Sequence, residues 1–398
     1  MYPFTQQRTV FATLVKNIDN RLIIALYGLR RTGKTVLLKQ VMNALVNLGV
    51  PRTDILFFSF DEEQPRLKEL FNAAEKLGQK PKYVFLDEIQ KLQNWQNQIK
   101  FYYDHTSLKL FISGSSSLFI KRKVRESLAG RIFDFYLPPL SFKEYIYFKG
   151  RQELVTKSKL LVEEIKTEFE LYVNKQFVET LPQNKEFVAE YTRSIIEKVV
   201  YIDIPQVFSI ANEGLLLRLL KIIALNPGGI IEFDNLSKEL GVDRNTISNY
   251  LFYLEEAFLI RKVYNFSSNR LTSERKLKKY YLNSTSFFSY LNPNVERSKV
   301  MENLFAIETG AKYFWRTHAK DEVDFVIEEN NKLIPLEVKY TRTITSKDVR
   351  SLAKFCREFK VKEGDLVTIG EEETRKVLWN GWEATIHQTP MWKWLLGR

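Results

Sequence analysis

The residues whose types and spacing best suit catalysis lie near the amino terminus, where two glycines frame a turn. Residues 28–35 read GLRRTGKT, and they join the apolar run Leu22–Tyr27 to a segment with apolar residues at helical spacing. The pattern predicts a buried strand, a glycine-bounded turn and an amphipathic helix. In that arrangement Gly28 and Gly33 let backbone amides turn inward to hold phosphate oxygens beside the positive end of the helix dipole.

The two residues after the second glycine extend the prediction to a nucleotide and a metal ion. Lys34 would reach the β- and γ-phosphates, and Thr35 would place its hydroxyl on Mg²⁺. We therefore expect a P-loop that binds ATP or ADP with magnesium. An accidental strand-to-helix turn is the alternative, and the strand before and the helix after argue against it. The residues expected to contact nucleotide are Gly28, Leu29, Arg30, Arg31, Thr32, Gly33, Lys34, Thr35 and Val36.

An acidic pair extends this predicted site. In the run 83–89, YVFLDEI, Asp87 and Glu88 follow a series of apolar residues. A charge buried at the end of such a strand is unfavourable unless it is paired or binds a metal. In P-loop ATPases one such carboxylate holds Mg²⁺ through water, and the next orients or activates the attacking water. Asp87 is accordingly the predicted metal residue and Glu88 the predicted catalytic base. A solvated strand end is the alternative interpretation.

The next apolar run, 108–113, ends in the polar turn Gly114–Ser117. A hydroxyl at this point could hydrogen-bond the attacking water or the γ-phosphate, and either Ser113 or Ser115 would provide it. The two serines could instead simply end the strand, as serine and glycine often do. The pattern does not choose between the two residues.

Strands and helices alternate through this part of the chain. Strands are predicted at 22–27, 54–61, 83–89 and 108–113, and helices at 11–18, after the P-loop, at 67–77 and at 95–103. This alternation favours an α/β fold with a parallel sheet covered on both faces.

Four segments in this order resemble a known family: GLRRTGKT, YVFLDEIQ, LFISGSSS and LAGRIFDFYLPPLSFKEY. They are similar to the AAA-type ATPase domain of many archaeal and bacterial ATP-binding proteins, which are relatives of the STAND group of signalling ATPases. The resemblance covers residues 1–150. It implies that Arg131 contacts nucleotide or a neighbouring subunit, the latter in a homo-oligomer. An exposed arginine at a helix end is the alternative.

The central part of the chain is helical in pattern. Residues 151–210 are charged, with apolar residues at helical spacing, and we expect them to form a helical lid or connector. Residues 211–283 then give one helix, a Pro-Gly-Gly break, a second short helix, a turn at Gly241 and a third helix. With Asp234 and Asp243 as caps, this is the order of a helix-turn-helix.

Two strands, at 258–264 and 279–282, would make the helix-turn-helix winged, and this predicted wing is basic. Its seven basic residues, against one acidic residue, are Arg261, Lys262, Arg270, Arg275, Lys276, Lys278 and Lys279. Such a wing would supply phosphate contacts to DNA. The groove-facing candidates on the third helix are Arg244, Asn245, Thr246, Ser248 and Asn249. A protein-contact module is the alternative, because winged helices also serve that purpose in ATPases.

A second group of candidate catalytic and metal-binding residues lies in the region 296–398. Asp324 is in one predicted strand, and Glu337 and Lys339 alternate in the next, so both point to one face. Two carboxylates could hold a divalent metal that generates hydroxide, with Lys339 positioning the water or neutralising charge, and Glu302 on a preceding helix could add a ligand. Alternating charges on a half-exposed strand are the alternative.

The order of elements around these residues, over 296–370, resembles the PD-(D/E)xK nuclease fold. Val323 stands where that pattern has proline. The resemblance implies a nuclease-like domain, and because a fold does not fix a function, active and inactive forms both remain open. Beyond it, 377–386 is predicted as an edge strand and 391–396 as a closing helix.

Composition bounds the function. The 398 residues carry a net charge of +12, which fits either a nucleic-acid partner or a lysine-rich solvated surface. No apolar run is long enough to span a membrane, and no signal peptide is evident, so we expect a cytoplasmic protein. One cysteine and three isolated histidines offer neither a disulfide nor a zinc cluster. The sequence therefore predicts an ATPase that gates or moves a DNA-bound nuclease, or alternatively a nucleotide-switched regulatory protein.

Overall fold

The computed structural model divides the chain into two compact units. The first comprises Met1–Leu140 with Glu256–Phe258, and the second comprises Ser141–Glu255 with Leu259–Arg398. The segments predicted as connector, winged helix and nuclease-like domain therefore fall almost entirely in the second unit. The residues that the structure describes are 6–115, 128–267 and 277–397.

A five-stranded parallel sheet forms the centre of the first unit, as the sequence predicts. Its order is β2-β3-β4-β1-β5. The edge strand β5 is not among the predicted strands, although its sequence, IFDFY, is apolar except at Asp134. The strands are β1 (Ile23–Tyr27), β2 (Ile55–Ser59), β3 (Tyr83–Asp87), β4 (Lys109–Gly114) and β5 (Ile132–Tyr136).

The helices of the first unit bury apolar faces against this sheet. They are α1 (Phe11–Lys16), α2 (Lys34–Asn47), α3 (Leu67–Lys76) and α4 (Trp95–His105). The helix after the P-loop, α2, buries Leu37, Leu38, Val41 and Leu45, which recur at the spacing of one helical face. The rings of Phe85 and Phe111 from neighbouring strands stack with their centroids 4.3 Å apart within the core.

The strand ends of this sheet position the candidate site. The register pairs Tyr27 with Gly114, and Leu86 with Ile112, so β1, β3 and β4 finish at the same edge. Ligands in open parallel sheets bind outside the carboxyl ends of the strands. This edge carries the P-loop, Asp87 and Ser113.

The second unit begins with helices. The order of α10, α11 and α12 matches the predicted helix-turn-helix, with Gly241 at φ +66° in the turn between the last two. The helices are α5 (Phe142–Phe148), α6 (Glu153–Thr156), α7 (Val162–Tyr172), α8 (Lys185–Lys198), α9 (Ile204–Val207), α10 (Glu213–Leu225), α11 (Phe233–Leu240), α12 (Arg244–Glu256), α13 (Phe288–Leu291), α14 (Arg297–Thr309), α15 (Arg350–Glu358) and α16 (Met391–Gly397).

An eight-stranded mixed sheet, in the order β12-β13-β11-β10-β9-β8-β6-β7, completes the second unit. The two strands predicted as a wing, β6 and β7, are part of it, because β6 pairs in parallel with β8. The strands are β6 (Ile260–Asn265), β7 (Lys278–Leu282), β8 (Tyr313–Arg316), β9 (Glu322–Glu329), β10 (Lys332–Lys339), β11 (Glu363–Thr368), β12 (Glu373–Trp379) and β13 (Trp382–Pro390).

The prediction of one edge strand at 377–386 is wrong. This segment contains the turn of a hairpin, in which Asn380 and Gly381 have φ of +46° and +79°, and only β12 lies at the sheet edge. An Asn-Gly pair is a strong signal for a tight hairpin turn, so the sequence contained the information that corrects it.

Across the three described ranges, no helix has both the length and the apolar character needed to cross a membrane.

Candidate functional sites

The backbone of the P-loop adopts conformations that favour glycine. Gly28 has φ +152°, and a Cβ atom there would lie 2.3 Å from the carbonyl oxygen of Leu137. Gly33 precedes α2 with φ +94°. Any larger residue at position 28 would collide with backbone that cannot move aside, so the close turn requires glycine.

Lys34 lies folded over its own loop. Its Nζ donates to the carbonyl oxygens of Gly28, at 3.0 Å, and Leu29, at 2.9 Å. The hydroxyl of Thr32 also donates to Leu29, at 2.9 Å. Of the other predicted loop contacts, Arg30 and Val36 are half-buried and Arg31 is exposed with φ +65°.

Thr35, Asp87 and Ser113 meet at the carboxyl ends of the strands. Thr35 Oγ1 donates to Asp87 Oδ2 at 2.6 Å, and Ser113 Oγ donates to Asp87 Oδ1. The structure thus places a hydroxyl and a carboxylate, the oxygen donors that Mg²⁺ prefers, side by side. These residues fit the predicted ion, and they hold each other in place.

Glu88 has an unusual backbone for its residue type. Its φ is +51°, and its backbone N–H donates to Ser113 Oγ at 3.4 Å. Left-handed non-glycine residues cost free energy and cluster at functional sites. Gln90 donates through Nε2 to the Glu88 carboxylate and, at 3.1 Å, to Ser115 Oγ. Gln90 is not among the predicted site residues, although it follows Glu88 by two residues in the motif YVFLDEIQ.

Arg131 lies at the opposite end of the sheet from the P-loop. Its carbonyl oxygen accepts from the N–H of Ile23, the first residue of β1, and its guanidinium pairs with Asp104 at 2.8 Å. β1 therefore separates Arg131 from Gly28. The structure does not bring Arg131 to this chain's own P-loop, whereas a contact with a neighbouring subunit stays a prediction.

The second candidate site lies on β9 and β10. The antiparallel register places Leu336 opposite Phe325, which makes Asp324 and Glu337 neighbours. Asp324 Oδ2 accepts from the N–H of Val338 at 2.9 Å, and the N–H of Asp324 donates to Glu337 Oε2 at 3.3 Å. Lys339 Nζ pairs with Glu337 Oε1 at 2.7 Å. The three residues predicted to act together are therefore close in space.

The two carboxyl groups of this site resist ionisation. Burial is the main cause that raises the pKa of Asp324, and the charge of Glu302 adds to it. Burial also raises the pKa of Glu337, with the charge of Asp324 as the second cause. Burial lowers the pKa of Lys339, but the two carboxylates outweigh it and the pKa is raised. Such a pair favours a nearby cation.

Glu302 is predicted by the sequence to add a third metal ligand, but it does not lie with Asp324 and Glu337 as one metal-binding group. Its Oε1 accepts from Tyr281 OH at 2.8 Å and pairs with Lys279 Nζ at 3.3 Å, and its Oε2 pairs with Lys299. Lys279 also pairs with Glu322 at 2.5 Å and is 4% exposed. Within residues 6–115, 128–267 and 277–397, no three His, Cys, Asp or Glu side chains are placed to hold a metal. The predicted three-carboxylate grouping is therefore not formed, and Asp324 and Glu337 remain as a two-carboxylate site.

The position of Lys279 also corrects the prediction of a basic wing. Lys279 is buried among carboxylates, Lys262 pairs with Glu255 at 2.6 Å, and Arg261 donates to the Ala306 carbonyl at 2.9 Å. These cations contribute to packing within the unit. The predictions for Arg270, Arg275 and Lys276 lie outside the described residues, as do those for Ser116 and Ser117 of the earlier turn.

Helix α12, the third helix of the predicted helix-turn-helix, has an exposed polar face. Asp243 Oδ1 accepts from the N–H groups of Asn245, at 2.8 Å, and Thr246, at 3.1 Å, so it caps α12. The side chains exposed along this face belong to Arg244, Asn245, Ser248 and Asn249, whereas Thr246 is partly covered.

Comparison with family models identifies the domain that contains the first candidate site. Residues 20–146 match the model of an AAA domain, so this part of the chain is an AAA-type P-loop ATPase domain. Residues 176–298 and 298–385 match two models described as domains of unknown function, DUF8612 and DUF4143. The family match confirms the expected ATPase domain.

Two relatives are similar along most of their length. An uncharacterised protein of Methanocaldococcus jannaschii is 29% identical over 415 residues, which cover 96% of this chain and 90% of the relative. An uncharacterised protein of Haemophilus influenzae is 23% identical and covers 82% of this chain and 84% of the relative.

Two solved structures are weakly similar to this chain. The Aeropyrum pernix ORC1 protein in complex with DNA has 15% sequence identity and a TM-score of 0.29, covering 74% of this chain and 91% of that one. AMPPCP-bound DnaA from Aquifex aeolicus has 15% identity and a TM-score of 0.32, covering 62% of this chain and 86% of that one.

Proposed function

We propose that this chain is a magnesium-dependent ATPase, acting through the AAA-type P-loop domain of residues 20–146. The observation that carries the proposal is the 2.6 Å hydrogen bond between Thr35 and Asp87. It joins the first turn of α2 to the end of β3 and sets two oxygen ligands for the ion beside the phosphate-binding loop. Thr35 and Asp87 would hold Mg²⁺, which would supply positive charge against the charge that develops on the phosphates.

The chain's own groups then have distinct roles in hydrolysis. Lys34 would exchange the carbonyl oxygens of Gly28 and Leu29 for phosphate oxygens. Glu88 would take a proton from the attacking water, and its left-handed backbone with the Gln90 hydrogen bond would fix its carboxylate. Ser113 stays bound to Asp87 and keeps that carboxylate aimed at the ion.

Calorimetry with ATP and magnesium tests this proposal. The wild type is expected to give binding heat, and Lys34→Ala is expected to give none. Lys39→Ala is the matched control, because it removes a lysine from the same helix, where Lys39 lies over the Phe57 ring instead of the P-loop. Identical heats for the wild type and Lys34→Ala would contradict the proposal.

We extend the proposal to DNA on the basis of the exposed polar face of α12. Arg244, Asn245, Ser248 and Asn249 are the side chains that would enter a groove or meet phosphates. The helix start is fixed by the Asp243 cap, which holds these residues in one orientation. Fluorescence anisotropy with labelled duplex should show affinity that falls with salt, and Arg244→Ala should reduce the salt dependence. Arg193→Ala, an exposed arginine on α8, serves as the control.

Metal-dependent phosphodiester cleavage is the second candidate function, and it would be coupled to ATP hydrolysis. The observation that favours it is the contact between Asp324 and Glu337, with Lys339 at 2.7 Å from Glu337. Mg²⁺ is often held by one or two carboxylates together with substrate phosphates, so the pair fits the ion without Glu302. Lys339 would position the water or neutralise the leaving phosphate.

A different observation favours the alternative, a nucleotide-switched regulatory ATPase with an inactive nuclease-like site. The ammonium of Lys279 is buried between Glu302 and Glu322 and already places a cation beside the carboxylates. In this case nucleotide would control DNA or protein binding in an oligomer, with slow turnover and retained ADP.

Manganese binding separates these two functions. In an Asp87→Ala background, which removes the P-loop metal ligand, cleavage predicts residual Mn²⁺ binding that disappears when Glu337→Ala is added. The regulatory alternative predicts no residual binding. A nuclease assay on duplex, single-stranded and branched DNA, with and without ATP, completes the test, with Glu337→Ala and Lys339→Ala as inactive controls.

A further inference from the structure

Arg8 is a buried cation that contacts the P-loop, and it precedes in sequence the residues that match the ATPase family model. Arg8 is 6% exposed, and the family match begins at residue 20. Its Nη1 donates to the carbonyl oxygen of Thr32 at 2.8 Å. Its Nη2 donates to the carbonyl oxygens of Pro138, at 2.8 Å, and Pro139, at 3.3 Å. One guanidinium therefore joins the P-loop to the segment that follows β5.

The same segment supports the P-loop at a second point. The N–H of Leu137 donates to the carbonyl oxygen of Tyr27 at 2.8 Å, and the Leu137 carbonyl lies directly against Gly28. The start of the loop is thus fixed by backbone, and its far side, at Thr32, is fixed through Arg8. A planar guanidinium presents its donors in a rigid fork, so it transmits the position of one segment to the other.

Holding the Thr32 carbonyl also orients the next amide. In a planar trans peptide the carbonyl oxygen of one residue and the N–H of the next point in opposite directions. With the Thr32 oxygen directed at Arg8, the N–H of Gly33 is directed to the other side of the loop. Amides of this loop are the groups expected to hold phosphate.

We infer that Arg8 is a positioning residue for nucleotide binding, which presets the Thr32–Gly33 peptide of the P-loop to receive a phosphate group. The inference rests on the proposed ATPase function. Burial of a cation is unfavourable, and joining two backbone segments for stability alone does not require a charge. A cation at this place provides directional donors and also favours the phosphate anion.

Calorimetry of full-length protein with magnesium and ATPγS provides the test. Arg8→Ala removes the hydrogen bonds to Thr32, Pro138 and Pro139, and Arg8→Lys cannot bridge the two segments with one planar group. Each variant is expected to raise the Kd about tenfold or more, which corresponds to at least one charge-assisted hydrogen bond. In ATPase assays the KM should rise far more than kcat falls. Millimolar guanidinium chloride should restore part of the affinity of Arg8→Ala, because free guanidinium can occupy the vacated site between Thr32 and Pro138.

Gln40→Ala is the matched control for the amino-terminal segment. Gln40 Nε2 donates to the carbonyl oxygen of Gln6 at 2.7 Å, so it anchors the same segment two residues before Arg8. The Kd of Gln40→Ala for ATPγS should stay within about twofold of the wild-type value, because this change removes no charge-assisted hydrogen bond to the P-loop.

The outcomes are distinguishable. If Arg8→Ala fails to fold, Arg8→Lys carries the test, since it keeps the charge and most of the length. An Arg8→Lys variant that binds ATPγS like the wild type or like Gln40→Ala overturns the inference. If Lys34→Ala still loses binding in that case, the proposed ATPase function stands; if the wild type itself does not bind, the proposed function fails as well.

Discussion

The P-loop site and the Asp324–Glu337 site use the same kinds of groups, but they hold them differently. In the first, hydroxyls of Thr35 and Ser113 donate to one carboxylate, Asp87. In the second, Lys339 pairs with Glu337, and the adjoining Lys279 pairs with Glu302 and Glu322. In the first site, neutral hydroxyls hold the carboxylate of Asp87. In the second site, lysines hold the carboxylates through ion pairs, and of these lysines Lys279 is buried and Lys339 is partly exposed.

This difference predicts different consequences of mutation. Replacing a neutral hydrogen-bonding group, or a carboxylate by its amide, leaves no new buried charge. Removing one partner of a buried ion pair leaves the other charge uncompensated, which is strongly destabilising. The first site should therefore lose activity while the protein keeps its stability, and the second should lose stability.

The largest expected effect is on activity at the first site. Glu88→Gln should reduce ATP turnover by about 10²–10⁴-fold, the usual contribution of a general base. ATP binding should persist, because the amide keeps the shape and still accepts from Gln90. Phosphate release measures turnover, titration calorimetry measures ATP binding, and thermal melting checks that the variant keeps its stability. A Glu88→Gln variant that hydrolyses ATP at the wild-type rate would remove Glu88 from the mechanism.

The next effect is on the stability of the second unit. Lys279→Met should lower the free energy of unfolding by about 3 kcal/mol, because Glu302 and Glu322 lose their shared buried cation. Urea denaturation measures it, and adding Glu302→Gln should recover part of the loss.

The first unit contains a matched control for this prediction. Lys109 is also buried, but its ammonium donates to the carbonyl oxygens of Asn17, at 2.9 Å, and Leu22, at 2.8 Å. Lys109→Met leaves carbonyl groups without this donor but leaves no carboxylate unpaired, so its cost should be about 2 kcal/mol, smaller than that of Lys279→Met. Equal losses for both lysine variants would break the distinction between the two units.

Glu308 of the second unit should make the stability of the protein depend on pH. Burial raises the pKa of Glu308 from 4.5 to about 7, although its carboxylate accepts from Tyr172 OH and the Phe142 N–H. Between these values the unfolded chain loses the proton first, so folding becomes less favourable as pH rises from about 4.5 to about 7.

Glu308→Gln removes this titration while its side-chain oxygen can still accept both hydrogen bonds. The variant should match the wild type most closely near pH 5 and exceed its stability at pH 8 by about 2 kcal/mol. Urea denaturation at the two pH values measures the difference. A constant difference between the variant and the wild type would show that Glu308 does not titrate in this range.

The smallest expected effect comes from an exposed helix cap in the second unit, which serves as a contrast to the buried ion pairs of that unit. Asp243→Ala removes the cap of α12 and should lower the free energy of unfolding by less than Lys279→Met or Lys109→Met does. The group is exposed, so no buried charge is left. If this change cost as much as Lys279→Met, the second unit would be fragile in general instead of sensitive to charge.

The sequence predicted the first site because its parts are local. The glycines, Lys34 and Thr35 are consecutive, and Asp87 directly ends an apolar strand, so chain order placed them with little need for distant contacts. The same holds for Glu337 and Lys339, which alternate on one strand. Gln90 lay within the quoted motif but had no signal of its own, since a lone amide is common at helix starts.

The hairpin of β12 and β13 was predictable in principle from Asn380–Gly381, whereas the edge strand β5 was not. Residues Ile132–Tyr136 read IFDFY, in which Asp134 interrupts the apolar residues, and only the pairing with β1 shows that they form a strand. The pattern of an edge strand is weak because only part of its surface is buried.

The sequence by itself determined the order of elements, the P-loop and the acidic strand end, because short-range spacing fixes which side chains share a turn or a face. Only the tertiary structure decided that β7 joins the sheet of the second site, that Lys279 is buried between Glu302 and Glu322, and that Arg8 reaches Thr32. Residues far apart in the chain meet only when sheets and helices pack. Whether a lysine faces solvent or a buried carboxylate therefore depends on that packing, and local sequence patterns carry no record of it.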